Sequence, residues 1–278
     1  MFMNDPLLQL AVEAARRGAE AVQVARSRPR QIVSKGFRDD VTDADYAAQE
    51  AMLAAIRARY PAHPIVSEEN DIGQRLEDWP FPAGVWWVID PLDGTTNYSR
   101  GVPHYCVTVA ALRGEEVHAG VIFDPVRGHL FTALRGQGAW LNGQPLRVSQ
   151  RAELAEVVAE VGLPRQPDLR LKGLAVFHRL AVHCRSVRSS GSAALALAYV
   201  AAGWHDCYLH LTLKPWDCAA GALLIQEAGG RLLLPEGGAW TLRHARILAT
   251  NGALQAPLLR LVQEALATAS PDGPALGA

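Results

Sequence analysis

Val85-Trp86-Trp87-Val88-Ile89-Asp90-Pro91-Leu92-Asp93-Gly94-Thr95-Thr96-Asn97 is the stretch from which the rest of the chain is read. Val85 to Ile89 is a wholly apolar run of strand length, the pattern of a buried strand, and it stops at an acid. Pro91 cannot continue a sheet ladder, and Gly94 admits a backbone conformation closed to most residues. Asp90 and Asp93 therefore stand on a rigid turn at a strand end, followed by the N–H groups of Gly94 and Thr95 and two hydroxyls. Two acids buried together repel each other unless something pairs them. A divalent cation removes that conflict, and Mg2+ prefers oxygen ligands and is often shared with a substrate phosphate. Glycine-flanked N–H groups and hydroxyls suit a phosphate oxygen. The turn thus points to metal-assisted phosphate chemistry, in which neighbouring ions activate a water and stabilise the leaving oxygen. Trp86-Trp87, directly before it, reads as core rather than as a stacking platform.

Upstream, Asp5-Pro6 opens a helix as N-cap and first helical residue, and Leu7, Ala11, Ala14, Gly18, Val22 and Ala25 recur on one face. Ser34 to Asp40, around Lys35 and Gly36, reads as a polar loop. Thr42 begins a second helix with Asp45 as its capping-box acid. Pro64 to Ser67 is a short strand ending in Glu68 and Glu69, and residues 71–82 read as a polar surface loop. Downstream, Cys106–Leu112, Val117–Phe123, Leu130–Leu134 and Leu146–Val148 are strands with hairpin-length connections, Asn142-Gly143 being a hairpin signal. The first half is therefore α+β with a mostly antiparallel sheet.

The second half alternates strands and helices. Val157–Val161, Cys184–Val187, Asp206–Leu211, Arg231–Leu234 and Ile247–Ala249 read as strands. Ser192–Ala202, Trp216–Ala228 and Ala253–Ala267 read as helices, an α/β layer with some parallel pairing. The expected division is an α+β unit at 1–150, an α/β unit at 151–269 and a disordered tail at 270–278.

With 278 residues, about half apolar, and a net charge of −1, the chain has ample core. That charge gives no argument for a nucleic-acid or anionic-membrane partner. The cysteines, Cys106, Cys184, Cys207 and Cys218, have no C-x-x-C spacing, which suits reduced thiols better than disulfides or zinc. His104, His118, His129 and His183 also lack ligand spacing. No signal peptide precedes Asp5 and Glu13, and the longest apolar-leaning run, Ala193–Ala202, falls short of the roughly 18 residues that span a bilayer. A cytoplasmic location is the expectation.

The remaining acids complete the pattern. Asp217 opens a helix in Trp216-Asp217-Cys218-Ala219-Ala220-Gly221, where an N-terminal acid also suits the helix dipole. Here the chain resembles the inositol monophosphatase family of Mg2+-dependent, lithium-sensitive phosphomonoesterases. Asp90-Pro91-Leu92-Asp93-Gly94-Thr95-Thr96-Asn97 resembles the first family signature. Trp216 to Gly221, with Glu227-Ala228-Gly229-Gly230, resembles the second. Asp40 to Asp45 and Ser67-Glu68-Glu69 match two further segments in the right order.

The resemblance implies a layered α-β-α-β-α sandwich and hydrolysis of a small phosphate monoester by direct attack of a metal-activated water. It implies Mg2+ as cofactor, two to three ions, with Mn2+ as a substitute. Glu68, Asp90, the Leu92 carbonyl and Asp93 would hold the first ion, and Asp217 would join Asp90 and Asp93 at the second. Asp45 would lie near a weaker third. Glu68 and Thr95 would position the water, and the Gly94 and Thr95 amides would hold the phosphate. Gly191, Ser192 and Ala193 would line the substrate pocket, and Lys35 falls in a loop closing over the metals. A homodimer is also implied.

One position departs from the pattern. Members acting on inositol phosphate carry a Glu seven residues before the helix-opening Asp, and here that residue is His210. An imidazole offers fewer acceptors than a carboxylate, so the alcohol portion of the substrate is not fixed. Related enzymes act on histidinol phosphate, fructose 1,6-bisphosphate or adenosine bisphosphates. One rival reading is chemistry through an aspartyl nucleophile, for which the spacing of Asp90 and Asp93 is one residue too long. The other is a non-catalytic domain that senses metal or phosphate.

Overall fold

The computed structural model describes residues 4–27, 32–36, 39–70 and 81–269. In chain order the elements are α1 (Pro6–Arg26), β1 (Ile32–Gly36), β2 (Asp39–Thr42), α2 (Asp43–Arg59), β3 (Ile65–Ser67), β4 (Val85–Asp93) and α3 (Thr95–Arg100). Strands β5 (Cys106–Arg113), β6 (Glu116–Asp124), β7 (His129–Leu134), β8 (Gly138–Leu141) and β9 (Gln144–Pro145) follow as a meander. The second half comprises β10 (Val158–Val161), α4 (Pro167–His183), β11 (Ser186–Arg188), α5 (Ala193–Ala201) and β12 (Cys207–His210), then α6 (Pro215–Glu227), β13 (Arg231–Leu233), β14 (Ile247–Thr250) and α7 (Gln255–Thr268).

Strands β3 to β9 form one sheet in sequence order, parallel at β3–β4 and antiparallel elsewhere. The apolar run of β4 is explained by burial on both faces. Trp87 and Ile89 pack with Leu8, Ala11, Met52 and Ile56 of α1 and α2, whereas Trp86 and Val88 share a core with α5 and α6. Both tryptophans are core, 1% and 0% exposed. A buried Trp contributes on the order of 3–5 kcal/mol relative to alanine. Asp5 caps α1 by accepting the N–H groups of Leu7 and Leu8 at 2.9 Å each, and its other oxygen lies 2.9 Å from His118 Nε2.

The second sheet has the order β11-β10-β12-β14-β13, with β10 parallel to both neighbours and β14 antiparallel to both of its own. Its outer face packs Val157, Ala159 and Leu209 against Val176 and Leu180 of α4 and Leu258 and Val262 of α7. Helices α5 and α6 lie between the two sheets and are buried nearly all round. The result is the expected α-β-α-β-α sandwich.

Several expectations are corrected. Within the segment read as a polar loop, residues 34–36 and 39–40 lie on two antiparallel strands, β1 and β2, across which β-branched Val33 pairs with Val41. Lys35 is on β1, and its side chain lies outside the described residues, as do residues 71–80 and the tail 270–278. Helix α4 was not expected. Leu146–Val148 is not a strand; the Asn142-Gly143 turn, with φ values of 49° and 82°, instead joins β8 to β9. All four cysteines are free thiols. Among the described residues no helix is long and apolar enough to cross a membrane.

Candidate active site

The end of β4 is shaped by its proline. The β4–β5 register runs to Asp90 opposite Thr108, breaks across Pro91 and Leu92, and resumes at Asp93 opposite Cys106. Such an irregularity re-aims side chains. Asp90 Oδ1 accepts the Leu92 N–H at 2.9 Å, which fixes the turn. Gly94 follows with φ +98°, and a Cβ there would lie 3.0 Å from the His104 carbonyl oxygen and 3.2 Å from Tyr105 Cα. Glycine is thus required for conformation and for space.

Asp217 reaches this turn because α6 lies close against the first sheet. Gly120, in the middle of β6, makes that approach possible, since a Cβ there would lie 3.0 Å from Ala220 Cα. Thr108 Oγ1 donates to the Trp216 carbonyl at 2.9 Å and pins the start of the helix. Pro215 stands in the first turn, and Asp217 Oδ2 accepts the Lys214 N–H at 2.7 Å. The helix-opening role of Asp217 and its place in the site therefore coexist. Carboxylate oxygens of Asp90, Asp93 and Asp217 all lie within 4.8 Å of one another.

The electrostatics of this triad are those of a cation site. Asp90 and Asp93 are 1% and 8% exposed. Burial, then the charges of Glu68, Asp93 and Asp217, hold the Asp90 carboxyl well above the usual carboxylate range. Burial, with the charge of Asp93, pushes Asp217 to about 7. An oxygen-only donor set whose members repel one another fits a hard divalent cation.

Asp93 is braced from the second half of the chain. It accepts hydrogen bonds from Ser192 Oγ and from the N–H groups of Ala193 at 3.2 Å and Ala194 at 2.9 Å. Gly191, Ser192 and Ala193 line the cleft, and Ser192 and Ala193 also act as a clamp on this acid. Asn97 Nδ2 donates to the carbonyls of His104 and Ser190, at 2.8 Å each, and staples the turn to the same segment. Gly191, at φ +83°, comes so close to Asn97 that a Cβ would lie 3.2 Å from Nδ2.

Thr95 Oγ1 lies 3.1 Å from Asp45 Oδ1 and 3.0 Å from the Leu92 carbonyl oxygen. Asp45 also accepts the N–H of Thr42 at 2.8 Å and its hydroxyl at 2.6 Å, so it is both the capping acid of α2 and the support of Thr95. Burial pushes Asp45 to about 6. Asp45 does not join the triad. Glu68 is also outside the triad, although it lines the same cleft and its charge acts on Asp90.

The cleft, of about 730 Å³, is lined by the triad and the Gly94-Thr95 turn and also by Gly162, Arg165, Arg170, His210 and Lys214. Burial lowers His210 to about 4, so its ring is neutral near pH 7. Its Nδ1 accepts the Thr212 N–H at 3.0 Å, which places the ring proton on Nε2. Arg165, the Asn97 staple and Gly120 are not singled out by sequence reading. Gly120 did carry a signal, since a glycine inside an apolar strand marks close backbone approach. Arg165, in a Pro-flanked connection, carried none.

The fold and the site define a five-layered α/β protein with a carboxylate cluster suited to a hard cation on the lining of a cleft. The chain belongs to the inositol monophosphatase family, whose sequence model matches residues 3–267. It is 39% identical over 265 residues to Nus factor SuhB of Pasteurella multocida, across 94% of this chain and 95% of the relative. Among solved structures, the extragenic suppressor protein suhB of Bartonella henselae superposes with a TM-score of 0.85 at 33% identity, covering 92% of this chain and 98% of that one. The inositol monophosphatase (IMPase) of Thermotoga maritima gives 0.84 at 30% identity, covering 95% and 99%. The expected family and layered fold are borne out.

Proposed function

We propose that the chain is a metal-dependent phosphoric monoester hydrolase, inositol monophosphatase-like, that uses water directly and forms no phosphoenzyme. The observation that carries this reading is the triad of Asp90, Asp93 and Asp217 on the same cleft wall as the Gly94-Thr95 turn. Glu68, Asp90, the Leu92 carbonyl, Asp93 and Asp217 would hold the cation, Mg2+ or Mn2+ by the hardness of the donors. When bound, such a cation supplies Lewis-acid stabilisation of phosphoryl charge and a lowered pKa for water.

The chain's own groups do the positioning. Asp45 and the Leu92 carbonyl are both within reach of the Thr95 hydroxyl proton, leaving the Thr95 oxygen to accept a hydrogen bond from a water in the cleft. Glu68, on the same lining, would help to orient that water. The Gly94 and Thr95 amides, at the start of α3, suit the phosphate oxygens. A screen for phosphate release from small monoesters with Mg2+, with and without Li+, tests the reading. Asp90→Asn and Asp93→Asn are each expected to lose at least about a thousandfold in turnover, the scale of removing a preorganised electrostatic group. Near-normal activity in either variant refutes the site.

The name of the curated relatives, Nus factor SuhB, supports a second reading, a binding role independent of hydrolysis. Net charge argues against a polyanionic partner only in bulk. Residues 165–188 carry Arg165, Arg170, Lys172, Arg179, Arg185 and Arg188 against the single acid Asp168. Partner binding in cells that survives Asp90→Asn supports this reading, and binding that is lost with turnover refutes it.

A further inference from the structure

Strand β10 carries an acid on the face where an apolar residue is the rule. Ala159 and Val161 pack in the outer layer of the second sheet, so Glu160 between them points the other way, toward the helices between the sheets. Its side chain is 2% exposed. Burying a carboxylate is costly unless it is paired and hydrogen-bonded, and a core built for stability alone would hold an apolar side chain there. Burial opposes its charge, but the His205 ring and then the Ser190 N–H outweigh that and hold the Glu160 carboxyl below the usual carboxylate range. Neither the cation donors nor the phosphate-binding amides include this acid.

Its two oxygens have separate neighbours. Oε1 accepts the Ser190 N–H at 2.9 Å. Oε2 lies 3.1 Å from His205 Nδ1, a contact outside hydrogen-bond alignment, and neither atom has another partner among the described residues. The Ser190 peptide is thereby gripped on both sides, since its carbonyl accepts Asn97 Nδ2 at 2.8 Å. Gly191 turns the chain at φ +83°. The next three residues supply the clamp on Asp93: the Ser192 hydroxyl and the N–H groups of Ala193 and Ala194. The contacts close into a ring. His205 meets Tyr199 edge-on with centroids 5.4 Å apart, Tyr199 meets His104 at 6.0 Å, and the His104 carbonyl is the other acceptor of Asn97. Such a ring fixes where the segment from Ser190 to Ala194 sits, and Asp93 takes its orientation from that segment.

We propose that Glu160, held by His205, is a positioning residue for the cation site, setting Asp93 through the Ser190 peptide and the clamp that follows it. The inference rests on the hydrolase reading above only in taking Asp93 as a cation ligand. Two simpler roles make different predictions. A carboxylate acting by charge alone would attract a cation without any need of His205. A carboxylate of the cleft lining that touched the ester would govern the ester rather than the metal.

Calorimetric titration with Mn2+ alone, no ester present, reads the site directly. Removing a group behind a metal ligand weakens binding roughly tenfold to a hundredfold, and Glu160 acts at one further remove, so the low end applies. Glu160→Ala is expected to raise the Mn2+ dissociation constant about tenfold. Glu160→Gln, of the same size and with an acceptor for the Ser190 N–H, should raise it about threefold. His205→Phe keeps a ring against Tyr199 and the charge on Glu160 but removes Nδ1, and should also raise it about threefold. Unaltered or tighter binding in His205→Phe leaves charge alone as the cause and overturns the proposal. A change of less than about twofold in Glu160→Ala overturns it too, even where the melting temperature falls, because the role is then structural. So does a Glu160→Gln variant whose KM for ester rises about tenfold in saturating Mg2+ while its Mn2+ binding stays at the wild-type value. A wild-type protein that binds no Mn2+ removes the cation site and the proposal with it. If the variants weaken Mn2+ binding as expected but no ester is hydrolysed by the wild type, the hydrolase reading fails and Glu160 keeps its role. If esters are hydrolysed and Glu160→Ala binds Mn2+ like the wild type, Glu160 fails and the hydrolase reading stands.

Discussion

Asp217→Asn is expected to stabilise the metal-free protein at pH 8 while weakening its response to Mg2+. The Asp217 carboxyl is held at about 7, against 3.8 for an ordinary Asp, by burial and by the charge of Asp93. A midpoint displaced that far corresponds to about 4 kcal/mol against the ionised form. The repulsion is shared among Asp90, Asp93 and Asp217, so neutralising one is expected to recover about half, roughly 2 kcal/mol. In a chain of this size that raises Tm by roughly 4–8 °C. Asparagine keeps an oxygen to accept the Lys214 N–H, so the start of α6 is retained.

The folded midpoint of Asp217 lies above the unfolded one. Stability from this group is therefore fully present below pH 3.8 and lost as pH rises through about 7. Asp45, pushed to about 6, contributes in the same direction over a slightly lower window. Thermal unfolding followed by circular dichroism, in EDTA at pH 5 and pH 8 and then in saturating Mg2+, reads the effect. The wild-type protein should lose stability between pH 5 and pH 8 and regain it with Mg2+. The variant should melt higher than wild type in EDTA at pH 8 and gain less from the metal. A variant that melts lower than wild type there, or that gains as much from Mg2+, refutes the view that the triad is an unrelieved charge cluster awaiting a cation.

Gly94→Ala forces a left-handed residue to carry a Cβ 3.0 Å from the His104 carbonyl oxygen. A loss of about 2–4 kcal/mol in urea unfolding is expected, and a change under about 0.5 kcal/mol contradicts the packing described. Asn97→Ala leaves the carbonyls of His104 and Ser190 without their shared donor, with an expected cost of about 1–3 kcal/mol. Because the staple holds the segment that clamps Asp93, the Mg2+ midpoint for activity should rise as well. An unaltered midpoint would show that Asp93 is oriented by Ser192 and the α5 amides alone.

The parts of this molecule that were legible in the sequence are those where one local rule decides the outcome. Val85 to Ile89 is apolar at every position because both faces of β4 are covered, so strand and burial are read together. Thr42 and Asp45 form the capping box that their spacing announces. Helix α4 was not legible because its apolar residues do not lie on one side. Val176 and Leu180 face the core, while Leu171, Leu174 and Val182 are 40%, 44% and 67% exposed, which blurs the period from which a helix is recognised. The site divides along the same line. Two of its acids share one turn and can be paired by inspection. Asp217 joins them only because a glycine far away in sequence, Gly120, lets α6 approach β6, and no spacing rule encodes a contact between Gly120 and Ala220. The clamp of Ser192 on Asp93 and the staple of Asn97 on Ser190 have the same character. Each joins the first half of the chain to the second. The chemistry of the phosphate end is therefore written in a contiguous motif. The rest of the cleft lining, to which Arg165 and His210 belong, depends on how the β10–α4 connection and the end of β12 are brought to one cleft.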